Sequence, residues 1–124
     1  MPLMIVRTTV SVPEGKKEEL LKAITKVLVG TGGEESHVMV VLEKIDAARG
    51  GKMEPIACVD FRSMALSHTR NHEISDGICS LLGKMLGIGG ENIYLNFIPI
   101  AEGAWGCNHG IYVLRYPEKK WVVE

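Results

Sequence analysis

The sequence predicts an α+β fold: two strand–helix–strand units side by side, forming a four-stranded sheet with both helices on one face. Three observations carry that prediction. Short segments rich in β-branched residues alternate with two longer segments whose apolar residues recur at helical spacing. The tripeptide Gly32-Gly33-Glu34 returns as Gly89-Gly90-Glu91, an offset of 57. At that offset Leu21 meets Ile78, Ile24 meets Leu81 and Leu28 meets Met85, so helix cores and the turns after them both repeat.

The elements follow in order. Residues 3–10 read as a strand entering the core. Ser11-Val12-Pro13-Glu14 has the form of a capping box, with a hydroxyl cap, a proline in the first turn and an acid three residues on. Behind it, Leu20, Leu21, Ile24, Val27 and Leu28 line one helix face, and Lys16, Lys17, Glu18, Glu19, Lys22 and Lys26 the other. Gly30-Thr31-Gly32-Gly33 ends that helix. Residues 37–44 form a second strand, and 45–54 a connection turning at Arg49-Gly50-Gly51-Lys52. A third strand spans 56–62. A second helix over 67–86 carries Ile74, Ile78, Leu81, Leu82 and Met85, and Gly87 stops it; the fourth strand is 92–100.

The chain thus reads as one domain over residues 1–124, with repeated halves at about 2–45 and 55–100 and a C-terminal turn and short strand in 101–124. Two helices cover only one face of such a sheet. The uninterrupted Val38-Met39-Val40-Val41-Leu42 implies that the other face is buried too, so the cover comes from further copies of the chain. A closed ring with the sheets facing inward satisfies every copy. In the tail, Ala104 to Gly110 forms a glycine-flanked turn and Ile111-Tyr112-Val113-Leu114 a short strand, expected to pair with a neighbouring subunit's edge. Whether residues 116–124 dock or fray stays open.

Composition narrows the function classes. Apolar residues make up 46% of the 124, charged residues 23%, and the net charge is −1, with no footprint for nucleic acid. No apolar run has the length of a membrane span, and the start lacks a signal peptide's basic and apolar regions. Cys58, Cys79 and Cys107 are far apart, which points to a reducing compartment rather than a disulfide framework. The expected location is the cytoplasm, with release, if any, by a route that needs no signal peptide. His68 and His72 stand i, i+4, a metal-ligand spacing without an evident third ligand; a solvated helix start is the plainer reading. No metal or cofactor is expected.

The chemistry concentrates at the start, Met1-Pro2-Leu3-Met4-Ile5-Val6. If Met1 is removed, Pro2 presents a secondary amine. An α-amino group titrates near ~7.7–8.0, and burial in an apolar pocket lowers that value. A depression of ~2 units, about 2.7 kcal/mol, leaves a neutral general base at pH 7. With Met1 retained, the same nitrogen is a tertiary amide with no basicity.

Pro2 before a strand, the two halves, Glu54-Pro55, Ile93-Tyr94-Leu95-Asn96-Phe97 and Trp105-Gly106-Cys107-Asn108 together resemble the tautomerase superfamily, in its macrophage migration inhibitory factor branch. The resemblance runs from residue 2 to about 108. It implies a tautomerase/MIF-like fold in which a homotrimer's three sheets form a central barrel, with active sites at the subunit interfaces. Pro2 would be the catalytic base of a cofactor-independent keto–enol tautomerase acting on small enolisable keto acids such as phenylpyruvate. Tyr94 and Asn96 would reach the pocket from the adjacent subunit. The Met64 amide, after Ser63, would hold the substrate carboxylate or carbonyl, and Trp105 would form an apolar wall.

Four features depart from the family pattern. Its pocket-mouth lysine corresponds to Gly33. His37 falls where an aromatic residue often lines the pocket; it either supplies a cation when protonated or is a strand-start residue facing solvent. The family's C-x-x-C is Ile56 to Val59 here, and Gly-Cys-Asn replaces Gly-Trp-Asn at 106–108. Arg7, Arg62 and Arg70 read as solvated or paired residues rather than anion ligands. Two other functions compete with the enzyme: a cytokine-like protein with a vestigial pocket and a protein receptor as partner, and a ferredoxin-like module used for assembly. Neither a nucleic acid nor a membrane is an expected partner.

Overall fold

Alternation along the first strand sets the architecture. A computed structural model describes residues 2–124. In β1 (Leu3–Thr8) Met4, Val6 and Thr8 are buried while Leu3, Ile5 and Arg7 are half-buried on the opposite face. β1 pairs in parallel with β2 (Met39–Lys44) and antiparallel with β3 (Ala57–Ser63), which pairs in parallel with β4 (Ile93–Pro99). The order β2-β1-β3-β4 is that of two strand–helix–strand units joined through their first strands.

The helices α1 (Glu14–Gly30) and α2 (His68–Leu86) bury matching triplets, Leu20, Ile24 and Leu28 against Ile74, Ile78 and Leu82. These pack on Met4, Val6, Val59 and Phe61 in a single core on one side of the sheet. Gly77 permits the close approach of the helices: a Cβ there would stand 2.7 Å from Val27 Cγ1. Ser67 caps α2 by accepting from Arg70 N at 3.1 Å, and Gly87, at φ 68°, closes it with its N–H on Gly83 O.

The first cap departs from expectation. Pro13, in extended conformation, immediately precedes α1, and no side chain caps that end. Ser11 stands two residues too early to reach the orphan N–H groups; instead the Pro13 carbonyl accepts from Lys16 N at 2.8 Å. The repeat register also shifts. The buried helical triplets correspond at an offset of 54, as from Ile24 to Ile78, not at 57. The Gly-Gly-Glu tripeptides therefore play different parts: the first precedes a 3-10 turn at Glu35–His37, whereas Gly90 and Glu91 lie within the second at Gly90–Asn92. His37 consequently ends a turn, and its strand begins two residues later.

The tail differs more. β5 (Gly106–Cys107), β6 (Gly110–Arg115) and β7 (Lys120–Val123) form a second, antiparallel sheet within the chain. Within the chain β6 pairs with β5 over two residues and with β7 over four, so the final residues dock. Asn108 and His109 both have positive φ, the geometry of a two-residue hairpin loop.

Candidate active site

Three strands and the C-terminal sheet meet around Pro2. Pro2 is buried, and its carbonyl accepts from Met39 N at 3.1 Å, which extends the β1–β2 ladder by one residue. Leu3 pairs with Met39 on one side and Arg62 on the other, so Met39, Leu3 and Arg62 form the last row of the face that the helices leave open. Across this row lie Ser36 and His37 of the 3-10 turn, then Ile100 and the segment from Ala104 to Cys107, with Tyr112 of β6 behind. Together they enclose a cavity of about 510 Å³.

The walls are tied by backbone bonds. Ile100 N donates to Ser63 O at 3.0 Å, and Tyr112 N to Trp105 O at 2.9 Å, so Trp105 is held half-buried beside the second sheet. Tyr112 is 8% exposed. Burial first, then its hydrogen bond with Cys107 and the charges of Cys107 and Glu34, hold its phenol above the usual tyrosine value. His37 stacks obliquely on Tyr112, ring centroids 6.4 Å apart, with Nδ1 3.4 Å from Glu34 Oε2.

Pro2, His37 and Trp105 thus line one cavity, His37 from the 3-10 turn rather than from a strand start, and His37 stays exposed at its edge. The other expected site residues do not. Tyr94 and Asn96 project from β4 onto the open sheet face; Tyr94 is 62% exposed and pairs in register with Cys58, four residues along β3 from Arg62. It lines a separate hollow with Arg49, Cys58 and Asn92. Ser63 is buried, its Oγ accepting from Ala65 N at 3.2 Å, and neither it nor Met64 lines the Pro2 cavity. His68 and His72 are exposed on α2. Among the described residues no three His, Cys, Asp or Glu gather in a way that would hold a metal ion.

Arg62, Cys107 and Tyr112 are site residues that sequence reasoning passed over. Alternation puts Arg62 on one face with Cys58 and Asp60, but only the pairing with Leu3 sets it beside Pro2. A larger depression of about 700 Å³ borders α1 and Val40. Its lining is alkyl stems with Glu18, Lys22, Lys26 and Glu35 all exposed, and Lys22 bridges Glu18 at 3.0 Å, so a buried Pro2 rather than volume marks the Pro2 cavity as the site.

The family model described as macrophage migration inhibitory factor (MIF) matches residues 1–112. No curated protein matches the chain by sequence. Among solved structures, the macrophage migration inhibitory factor-like protein of Entamoeba histolytica is 28% identical, with a TM-score of 0.82 over 87% of this chain and 96% of its own. The homologue from Prochlorococcus marinus is 26% identical, with a TM-score of 0.80 over 86% and 96%. Pt0534, whose structure was determined after inactivation by 2-oxo-3-pentynoate, shares the fold at 15% identity, with a TM-score of 0.79 over 88% and 94%.

Proposed function

Since the chain belongs to the macrophage migration inhibitory factor family, we propose that it is a cofactor-independent keto–enol tautomerase of phenylpyruvate-type acids, with Pro2 as its base once Met1 is removed. One observation carries this reading above the others: Pro2 is buried at the head of β1 against a cavity large enough for an aryl keto acid. Burial and the neighbouring Arg62 charge both disfavour a prolinium, leaving a free amine near neutral pH. Such an amine takes a proton from the carbon next to the ketone as the enolate forms. Its N–H⁺ then returns a proton to oxygen, or to carbon in the reverse direction. Trp105 and Tyr112 offer flat apolar walls for the aryl group.

The proposed assembly is a homotrimer. The open face exposes Met39 and Tyr94 beside half-buried Leu3, Ile5 and Val41, a surface that a neighbouring sheet would cover. In that trimer the Tyr94 and Asn96 of one copy complete the Pro2 cavity of the next, and the Met64 amide is drawn to the substrate. The placement of Tyr94 away from its own chain's Pro2 supports this reading.

The test pairs an intact-mass measurement of the N-terminus with a phenylpyruvate keto–enol assay on the same sample. Retaining Met1 should abolish the contribution of the base, about 10²- to 10⁴-fold, and Pro2→Gly should lower the rate by a smaller factor. A correctly processed trimer without activity overturns the enzyme reading. A receptor-binding protein with a vestigial pocket then becomes the reading to pursue.

A further inference from the structure

We propose that Arg62 anchors the carboxylate of the molecule bound in the Pro2 cavity, a proposal that rests on the keto–enol reading of that cavity. Arg62 pairs in register with Leu3, the residue after Pro2, and lines the same cavity. Its Nε is buried and makes no hydrogen bond. Arg70 Nε is in the same state, but Arg70 Nη1 donates to Ala65 O at 2.7 Å, and Arg7, Arg49 and Arg115 each have a side-chain partner, so Arg62 is the arginine without one among the described residues. Arg7 holds both nearby acids of the open face, Glu43 at 3.1 Å and Asp60 at 3.2 Å, which leaves Arg62 without a carboxylate among the described residues.

A buried N–H without an acceptor has lost its water and gained nothing in return. A guanidinium is also matched to carboxylate geometry, because its two Nη groups, which unlike Nε are not sealed from the cavity, can donate two parallel bonds. The alternative source of positive charge is sterically closed. Gly33 N donates to Leu28 O at 3.0 Å, and a Cβ at Gly33 would stand 2.9 Å from that same oxygen. No longer side chain fits there without moving the turn. Arg62 therefore supplies from the sheet floor a positive charge that position 33 does not. Its position beside Pro2 orients an α-keto acid with the carboxylate on Arg62 and the acidic carbon toward the amine.

Two pairs of probes test the assignment on the full chain with Met1 removed. Phenylpyruvate and its methyl ester report turnover; cinnamate and cinnamamide, which cannot enolise, report binding by calorimetry. Arg62→Gln should raise KM for phenylpyruvate and Kd for cinnamate about 10- to 100-fold. The ester and the amide should change by less than about twofold, the difference expected when a charge-assisted bond is absent from the neutral probe. Arg62→Lys keeps the charge without the fork and should fall between. Cinnamate binding that is unchanged in Arg62→Gln, or acid and neutral probes weakened alike, overturns the proposal. So does a wild-type protein that binds cinnamate no tighter than cinnamamide. If the wild type turns over neither phenylpyruvate nor its ester, the keto–enol reading falls, and the calorimetric pair still decides the role of Arg62.

Discussion

The two faces of the four-stranded sheet are made by alternate residues of the same strands, yet they do different work. On the helix side Met4, Val6, Val59 and Phe61 are no more than 1% exposed and pack on the two helical triplets. On the other side Ile5, Arg7, Cys58, Asp60 and Arg62 mix apolar, charged and thiol groups, and none is fully buried. The first face closes the fold within one chain. The second holds the Pro2 cavity at one end and Tyr94 at the other, and its polar residues sit where an apolar core would have no use for them. Fold and chemistry are separated by a period of two residues.

Two isoleucines test that separation. Ile78 is fully buried on the helix side, and Ile78→Ala should cost about 2–5 kcal/mol through lost contacts and the cavity left behind. Urea unfolding at a fixed protein concentration reads this as a lower midpoint at an unchanged slope. Ile5 faces the open side, half-buried in a single chain. In the proposed trimer Ile5→Ser should leave the far-ultraviolet circular dichroism of the subunit intact and weaken association, seen by sedimentation. An Ile5→Ser protein that sediments as the wild type does would break the comparison, because the open face would then not be the subunit contact.

The helix side was legible in the sequence because its information is local. Apolar spacing in α1 and α2 and β-branched runs in the strands locate every element of the main sheet, and Ser67 and Gly87 mark the ends of α2. The shortfall lies where tertiary pairing decides. Glycine tripeptides suggested an offset of 57, yet the helices pack at 54, since the two halves reach their second strands through different turns. β6 was legible as a strand, but its partners β5 and β7 depend on a hairpin at Asn108-His109 and on the return of the final residues. The site was legible only in part. Pro2, His37 and Trp105 were identified through the family resemblance and do line one cavity. Arg62 was discounted because an arginine on a strand is ordinarily solvated, and no local signal announces that β1 pairs Leu3 with it.

A smaller effect sharpens the account of the helix side. A glycine in mid-helix is unfavourable by about 1 kcal/mol relative to alanine, so Gly77→Ala should stabilise α2 if nothing stood near it. The Cβ would lie 2.7 Å from Val27 Cγ1, however, and a β-branched side chain has little freedom to withdraw. Overpacking of about 1–3 kcal/mol should outweigh the propensity gain, for a net loss of about 1 kcal/mol. Val27→Ala in the same protein removes the obstacle, so the two changes should be strongly non-additive in urea unfolding. Additive effects would mean that the helices adjust their separation at no cost.

The least disruptive probe belongs to the open side. Tyr112 keeps its proton to higher pH than an ordinary tyrosine, chiefly because burial penalises the phenolate, with Cys107 and Glu34 adding to the effect. The raised value means that the unfolded chain releases this proton first. The contribution to stability is therefore complete below the unfolded value near 10 and declines as pH rises from there toward the folded value. Tyrosinate absorbance should resolve the late titration of Tyr112. Tyr112→Phe should remove that late step, and with it the part of the alkaline loss of stability that the phenol causes. Cys107→Ser leaves the burial of the ring in place, so it should move the late step down only slightly. A large fall in Cys107→Ser would instead mean that the thiolate, not desolvation, governs Tyr112, and that this wall of the cavity changes charge as a coupled pair.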